Sequence, residues 1–293
     1  MKDITEEDLR RNIPLAASKR DGTRTLVSLG DHQFGGEEIL VIAGPCVVET
    51  HEQTLEIARN VKAAGAAALR GGAFKPLTFP YRTGKCYELR EKGLEILRDV
   101  RSKCRIPIVT EITDLRLLEK MCKSADMLQI GARNMQNFPL LEEVGKAKIP
   151  VLLKRHFGAS LRDWLGAAEY LLYHGNSNVV LCERGVIAPH THQQTSRFIV
   201  DLQVVPAARE YTHLPIIVDA SHATFRRQYV APVARAAIAV GADGVMVDVH
   251  PDPENAAVDP LQALSYSAFR ELMEELRGIA KVLGKRIADP TLS

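Results

Sequence analysis

Eight short apolar segments, each followed by residues with the apolar spacing of an amphipathic helix, limit the folds open to this chain of 293 residues. The segments are nearly continuous in apolar character rather than alternating, which is typical of strands buried on both faces of a parallel sheet. They lie at residues 39–43, 66–70, 106–110, 126–130, 150–154, 178–182, 215–219 and 244–249. Strands that alternate with helices imply right-handed crossovers, and eight of them favour a closed (β/α)8 TIM barrel over an open sheet.

The flanking residues agree with a single barrel. The first helical stretch opens with Thr50 and Gln53 at the spacing of a capping box and ends at Gly65. Length alone would suggest two domains, but an α/β barrel of this size forms one. We therefore predict an N-terminal extension over residues 1–36, with a β-hairpin in LVSLGDHQFGG that closes the barrel bottom, and the catalytic barrel over residues 37–293.

Composition excludes several classes of partner. The 38 basic and 36 acidic residues give a net charge of +2 and aromatics are 5%, so nothing indicates a nucleic-acid-binding tail. The charged N-terminus has no apolar signal region, and no apolar run of membrane-spanning length occurs. The five cysteines are scattered without a CxxC pair, which is typical of reduced thiols. We predict a cytoplasmic protein with no membrane or nucleic-acid partner.

Basic residues follow several predicted strands, at the barrel end where active sites of this fold lie. These residues are Arg70, Lys75, Arg133, Lys154 and Arg184. Arginine and lysine together suit phosphate and carboxylate groups, so we predict a small ligand with several negative charges. The alternative is that Arg70 and Lys154 are structural and form salt bridges with Glu111 and Glu183.

A second group of side chains has the chemistry of a metal site. Cys46 follows the first strand and His222 the seventh, while Asp248 or His250 lies at the eighth. A further acid would come from Asp252, Glu254 or Asp259. A thiolate, an imidazole and carboxylates can hold a divalent transition metal. The competing interpretation makes Cys46 a small buried apolar residue and His222 a structural one.

The motifs GPCVVET, ALRGGAFKP, QIGARNMQNF, LLKR, NVVLCERG, DASHAT and VHPDPENA together resemble 3-deoxy-D-arabino-heptulosonate 7-phosphate (DAHP) synthases. The similarity is to the subgroup related to 3-deoxy-D-manno-octulosonate 8-phosphate synthases and spans roughly residues 38–285. It implies a metal-dependent TIM-barrel transferase that condenses phosphoenolpyruvate with an aldose phosphate, in the shikimate pathway of aromatic amino acid biosynthesis. The enol carbon attacks the aldehyde, water adds at C2, and inorganic phosphate leaves. The family usually forms homodimers or homotetramers.

The resemblance also implies roles by position. The catalytic residues are Lys75, Cys46 and His222, and the phosphoenolpyruvate-binding residues are Arg70, Lys75, Gln129, Arg133, Lys154 and Arg184. A divalent metal ion, Mn²⁺ or similar, would be held by Cys46, His222, Asp248 and Asp259. The acceptor region corresponds to Pro76, Leu77 and Thr78, and from this chain's own residues we add His190, His192, Arg197 and Arg226 as acceptor candidates.

Three positions depart from the family pattern. Asp248 stands where relatives carry glutamate, a loss of one methylene or about 1.5 Å of reach. Leu77 replaces the arginine of K-P-R-T, which grips the phosphate of erythrose 4-phosphate, and so removes a charge-assisted contact. The segment after the sixth strand is longer and adds His190 and His192, which we interpret as new acceptor contacts, the alternative being a simple surface loop.

These departures leave three hypotheses. The first is DAHP synthase itself, with erythrose 4-phosphate as acceptor. The second is a close paralogue with the same donor and another aldehyde. The third is a catalytically weakened paralogue that acts as a binding or regulatory partner, which the retained cations and the retained Cys46 and His222 disfavour.

Overall fold

The computed structural model describes residues 4–17, 22–76, 88–188 and 198–287. In these ranges the strands are β1 (Val27–Leu29), β2 (His32–Phe34), β3 (Glu38–Gly44), β4 (Ala68–Arg70), β5 (Ile108–Ile112), β6 (Met127–Ile130), β7 (Val151–Lys154), β8 (Val179–Glu183), β9 (Ile216–Asp219), β10 (Gly244–Asp248) and β11 (Arg286–Ile287). The α-helices are α1 (His51–Ala64), α2 (Glu91–Cys104), α3 (Leu118–Ser124), α4 (Phe138–Ala147), α5 (Leu161–Tyr173), α6 (Val204–Tyr211), α7 (Ala220–Thr224), α8 (Arg227–Ala239) and α9 (Tyr266–Val282).

Strands β3 to β10 form a closed parallel barrel. Each pairs with the next in chain order, and β10 returns to β3 in a register that runs from Gly244↔Leu40 to Asp248↔Gly44. The predicted (β/α)8 barrel is therefore confirmed. Every predicted apolar segment overlaps one barrel strand, and no boundary differs by more than two residues. The short strand β11 adds in parallel to the start of β3.

The barrel interior and the layer beneath the helices form two separate apolar clusters. Leu40, Met127, Leu152 and Ile217 belong to the inner cluster, where they are fully or almost fully buried. The antiparallel hairpin of β1 and β2 contributes three more inner residues, Val27, Leu29 and Phe34. These hairpin side chains cover the end of the barrel at which the strands begin, so water is kept from the core there.

The helices pack their apolar faces against the outer surface of the barrel. Trp164 of α5 is fully buried, and its indole N–H donates to the backbone oxygen of Leu153 at 3.1 Å. At the start of α1 the Thr50 hydroxyl accepts from the backbone N–H of Gln53 at 3.1 Å, while the Gln53 side chain contacts other groups. None of the helices in the described part of the chain is long and apolar enough to cross a membrane.

Successive strand residues alternate between the barrel interior and the helix layer. In a barrel of this type each interior layer is built by side chains from alternate strands. Side chains two strands apart therefore meet inside the barrel, while neighbours in sequence are separated. This geometry decides which polar residues at the carboxyl ends of the strands come together.

Candidate active site

Cys46 lies just past β3, at the mouth formed by the carboxyl ends of the strands. Gly44 ends β3 with a φ of +150°, and a Cβ there would lie 2.2 Å from the backbone oxygen of Arg70. Glycine therefore lets the ends of β3 and β4 approach closely. The Cys46 thiol donates to Asp259 Oδ2 at 3.1 Å and receives a hydrogen bond from Lys75 Nζ at 3.2 Å.

His222 completes a compact group of metal-ligand types. Its Nε2 lies 3.7 Å from Cys46 Sγ and 3.6 Å from Asp259 Oδ2. One ligand atom from each of Cys46, His222, Asp248 and Asp259 lies within 4.8 Å of the others. The group comes from three strand ends and one loop. A thiol, an imidazole and two carboxylates fit a divalent transition metal.

The structure separates the other candidates for this group. His250 Nε2 lies 3.2 Å from Glu49 Oε1 and 3.0 Å from Gln53 Nε2, so it ties the end of β10 to α1. Asp252 accepts a hydrogen bond from the amide of Asn255. Glu254 forms an exposed salt bridge with Arg227 on the outer surface. Among the alternatives that the sequence left open, Asp248 and Asp259 are the residues placed beside Cys46 and His222.

Asp248 is fully buried and has a basic partner two strands away. Its Oδ1 accepts from Arg70 Nη1, and its Oδ2 accepts from Gln262 Nε2 at 2.5 Å. The backbone N–H of Asp248 donates to Ser221 Oγ at 2.8 Å. Gly44 lies opposite Asp248 in the β3–β10 register, so no side chain blocks Arg70 from reaching across β3.

Asp219, the last residue of β9, makes a similar bridge. Its Oδ2 accepts from Lys154 Nζ and lies 3.0 Å from His222 Nδ1. Its Oδ1 accepts from the backbone N–H of His222 at 3.0 Å, which caps the short helix α7. Asp219 therefore orients the imidazole and pairs with a mouth cation at the same time.

The proposed pairing of Arg70 with Glu111 and of Lys154 with Glu183 is wrong. Glu183 instead accepts from Arg155 Nη1 at 3.0 Å, and Glu111 accepts from the amide of Gln129 at 3.0 Å. Lys154 lies opposite Cys182 in the β7–β8 register, and the Cys182 side chain belongs to the inner cluster. Since successive residues alternate faces, Arg155 and Glu183 lie toward the helix layer, out of reach of Lys154.

Other predicted residues lie around this centre. Arg184 is buried, donates to the backbone oxygen of His222 at 3.3 Å, and lies 4.2 Å from the ring centroid of Phe198. Arg133 is exposed and donates to the backbone oxygen of Pro76 at 2.6 Å. Arg226 is half-buried immediately before α8. The remaining acceptor candidates Leu77, Thr78, His190, His192 and Arg197 lie outside the described residues.

Burial and the bridging contacts set the protonation of the site. Burial raises the pKa of the Cys46 thiol to about 12, although the nearby Lys75 ammonium opposes the rise. Burial alone would also raise the pKa of Asp219, but the contacts with His222 and Lys154 outweigh it and hold this pKa well below its usual value. The free thiol is therefore protonated at neutral pH, and binding a metal cation would displace its proton.

Sequence reasoning assigned no role to two residues of the site. Asp219 has a recognisable signal, since an acid that ends a barrel strand three residues before His222 is placed to cap the next turn. Gln262 has none, because it lies in a loop and meets Asp248 only through the tertiary fold.

The chain is similar to known proteins over most of its length. The family model of the DAHP synthetase I family matches residues 19–283. A phospho-2-dehydro-3-deoxyheptonate aldolase from Thermotoga maritima is 44% identical over 263 residues, which are 90% of this chain and 76% of that protein. A 2-dehydro-3-deoxyphosphooctonate aldolase from Syntrophotalea carbinolica is 30% identical over 273 residues, 88% of this chain and 96% of that protein.

Two solved structures share the fold. The crystal structure of the DAHP synthase from T. maritima has a TM-score of 0.87 at 42% identity, and the match covers 93% of this chain and 77% of that chain. A truncated form of the T. maritima enzyme has a TM-score of 0.85 at 41% identity, with 94% of this chain and 99% of that chain covered.

Proposed function

Because the chain belongs to the DAHP synthetase I family, we propose that the cluster of Cys46, His222, Asp248 and Asp259 and the cations beside it form its active site. The enzyme is a transferase that condenses phosphoenolpyruvate with an aldose phosphate. The observation that carries the assignment is the position of this cluster next to the bridged cations Arg70 and Lys154, at the barrel end where such enzymes react.

The cations are assigned to the donor. Arg70, Lys154 and Arg184 are buried at the mouth, where the charge of a bound anion is screened little by water. Phosphoenolpyruvate carries a phosphate and a carboxylate, which match guanidinium forks and a lysine ammonium. Arg133 and Gln129 at the end of β6 complete the proposed donor contacts. These groups also stabilise the charge that moves to the phosphate as it leaves.

The family is metal-dependent, and the four ligand types present suit a divalent ion such as Mn²⁺. When bound, the ion supplies Lewis-acid polarisation of the acceptor aldehyde. Asp219 holds the His222 ring so that Nε2 faces Cys46 and Asp259. This hydrogen bond fixes the tautomer that a metal ligand needs.

Lys75, placed beside the reacting carbons, is the proposed proton donor, and the proton would go to the aldehyde oxygen as it becomes a hydroxyl. Its side chain reaches the centre of the site, because Nζ lies 3.2 Å from Cys46 Sγ. The backbone N–H of Lys75 donates to Glu88 Oε2 at 2.6 Å, which anchors the turn after β4. An ammonium so placed can hold a proton beside the donor until the new bond forms.

The identity of the acceptor aldose phosphate is also proposed. Erythrose 4-phosphate is the first candidate, since the relative with 44% identity is named a phospho-2-dehydro-3-deoxyheptonate aldolase. Leu77 lacks the charge that family members use to grip this phosphate, so we propose weaker binding of erythrose 4-phosphate or a changed aldose phosphate. We also propose a homodimer or homotetramer, which sedimentation analysis would test.

The direct experiment follows phosphate release from phosphoenolpyruvate with Mn²⁺ and a panel of aldose phosphates. Turnover with erythrose 4-phosphate identifies a DAHP synthase, and turnover with another aldose phosphate alone identifies the altered paralogue. The variant Leu77→Arg is expected to lower the KM for erythrose 4-phosphate. No release with any acceptor would overturn the assignment and favour the weakened paralogue.

A further inference from the structure

We propose that Asp219 is a positioning residue that couples the two halves of the site, so that phosphoenolpyruvate bound at Lys154 strengthens metal binding by His222. The inference rests on the proposed roles of Lys154 in donor binding and of His222 in metal binding. Neither residue needs to move for the coupling to operate, because both already contact the same carboxylate.

The carboxylate of Asp219 contacts both partners. Oδ2 accepts from Lys154 Nζ and lies 3.0 Å from His222 Nδ1. The other oxygen, Oδ1, accepts from the backbone N–H of His222 at 3.0 Å, which fixes the carboxylate as the cap of α7, and lies 3.3 Å from His222 Nδ1. Asp219 is fully buried, and the side chains of Lys154 and His222 are 4% and 12% exposed, so water screens the shared contact little.

The imidazole lies between this carboxylate and the metal-ligand group. Nδ1 faces Asp219, whereas Nε2 is the nitrogen near Cys46 Sγ and Asp259 Oδ2. A carboxylate that accepts the N–H of a ligating histidine makes the opposite ring nitrogen a stronger electron donor. The charge on the Asp219 carboxylate therefore affects how strongly Nε2 can bind a cation.

While no donor is bound, the Lys154 ammonium also pairs with the Asp219 carboxylate and so weakens the effect of this carboxylate on His222. An anionic phosphate or carboxylate at Lys154 neutralises part of the ammonium charge, and more of the Asp219 carboxylate charge then acts on His222 Nδ1. Nε2 becomes the better ligand, so donor and metal each raise the affinity of the other by the same factor.

Asp248 differs from Asp219 in the way its partners are divided. Arg70 contacts Oδ1, whereas the oxygen nearer the imidazole, Oδ2, accepts from Gln262 and lies 3.8 Å from His222 Nδ1. An anion that attracts Arg70 leaves the Gln262 contact in place. The geometry therefore points to Asp219 as the coupling carboxylate.

The test titrates the protein with Co²⁺ alone and follows the thiolate-to-cobalt absorbance band that Cys46 would give. The titration is repeated with saturating phosphoenolpyruvate and no acceptor. We expect phosphoenolpyruvate to tighten Co²⁺ binding by about fivefold or more in the wild type, and by less than about twofold in Asp219→Asn. The matched control is Asp126→Asn, whose carboxylate pairs with Arg101 at 2.5 Å at the start of β6, and it should keep the wild-type factor.

A second variant tests the coupling without phosphoenolpyruvate. Lys154→Met frees Asp219 Oδ2 for His222 and is expected to tighten Co²⁺ binding by itself. Arg184→Met removes a mouth cation whose donated hydrogen bond goes to the backbone oxygen of His222, so its effect on Co²⁺ affinity should be smaller. This arm remains decisive if Asp219→Asn does not fold.

The outcomes separate the inference from the proposed site. A wild-type coupling factor that persists undiminished in Asp219→Asn, or equal effects of Lys154→Met and Arg184→Met, would overturn the coupling role alone. A wild-type protein with no thiolate band, or a band that survives in Cys46→Ala, would overturn the proposed metal site itself.

Discussion

Buried aspartates with basic partners occur at both ends of the barrel, one where the strands begin and two at the mouth, yet their surroundings differ. At the end where the strands begin, Asp243 accepts from Arg24 at 2.9 and 2.6 Å, from Arg209 at 3.2 Å and from the backbone N–H of Ile216 at 2.9 Å. At the mouth, Asp219 and Asp248 have Lys154 and Arg70 as partners. All three aspartates are fully buried.

The difference lies in what else each carboxylate touches. The basic partners of Asp243 come from outside the barrel, Arg24 from the segment before the hairpin and Arg209 from α6, so these contacts fasten both segments to the start of β10. The mouth partners are barrel residues themselves, and both mouth carboxylates lie within 4 Å of His222 Nδ1. The same chemical pair therefore stabilises the fold at one end and organises reactive groups at the other.

The largest expected effect is at the mouth. Cys46→Ala should lower the rate of phosphate release at least a thousandfold, which corresponds to about 4 kcal/mol of transition-state stabilisation, because the proposed metal loses its thiolate. The melting temperature should change little, since Cys46 is not among the hairpin residues that cover the opposite end of the barrel. Full activity of this variant after chelation and addition of fresh Mn²⁺ would contradict the assigned role.

Asp243→Asn should give the reverse pattern. Breaking a buried ion pair on one side costs about 3–5 kcal/mol of unfolding free energy. The change is measured by urea denaturation, and the Kd for phosphoenolpyruvate, measured by calorimetry on the folded protein, should stay within about twofold of wild type. A large change in that Kd at unchanged stability would show that the two ends are not separate in function.

The hairpin side chains Val27, Leu29 and Phe34 form an apolar seal over the end of the barrel where the strands begin, and this seal can be tested by substitution. Leu29→Ala should cost about 2–5 kcal/mol of unfolding free energy, because the side chain is 1% exposed among the inner core residues. Leu26→Ala is the matched control, since Leu26 is 50% exposed and should change stability by less than about 0.5 kcal/mol. Similar losses in both variants would contradict the hairpin's role as a seal.

The smallest effect concerns a mouth carboxylate that acts on stability. Burial would raise the pKa of Glu49, but hydrogen bonds from His250 and the backbone of Ala257 outweigh it and lower this pKa below 4.5. The carboxylate therefore stabilises the fold above about pH 4.5, and this contribution is lost as the pH falls through the folded-state pKa. Glu49→Gln should lower the free energy of unfolding by about 1 kcal/mol at pH 7. This free energy should then fall less steeply as the pH is lowered into the acid range. If the variant loses stability in acid as steeply as the wild type, other carboxylates determine this pH dependence.

Much of the fold follows from local pattern. The apolar segments predicted all eight barrel strands, because a strand buried on both faces needs a continuous apolar run. The capping prediction at Thr50 was correct for the helix start, but the Gln53 side chain contacts Glu49 and His250 instead of completing a reciprocal cap. Tertiary contacts outcompeted the local bond there.

The sequence predicted where the candidate site lies, but it predicted only partly which acidic and basic side chains contact each other there. Listing the polar residues past each strand found Cys46, His222 and Lys75, because active sites of this fold lie at strand ends. The alternative interpretation paired Arg70 and Lys154 with acids of the neighbouring strands. Glu183 instead takes the opposite face to Lys154, and Arg70 contacts Asp248 across the barrel while Glu111 bonds to Gln129.

The amino-acid sequence by itself determined the barrel, its mouth and the residue types gathered there. Each strand is encoded by a local apolar run, and the polar residues of the mouth follow these runs directly along the chain. Only the tertiary structure decided that Asp248 reaches Arg70 across Gly44 and that Lys154 and His222 share the carboxylate of Asp219. The physical reason is barrel closure, which fixes the register between β10 and β3 and brings together side chains from alternate strands.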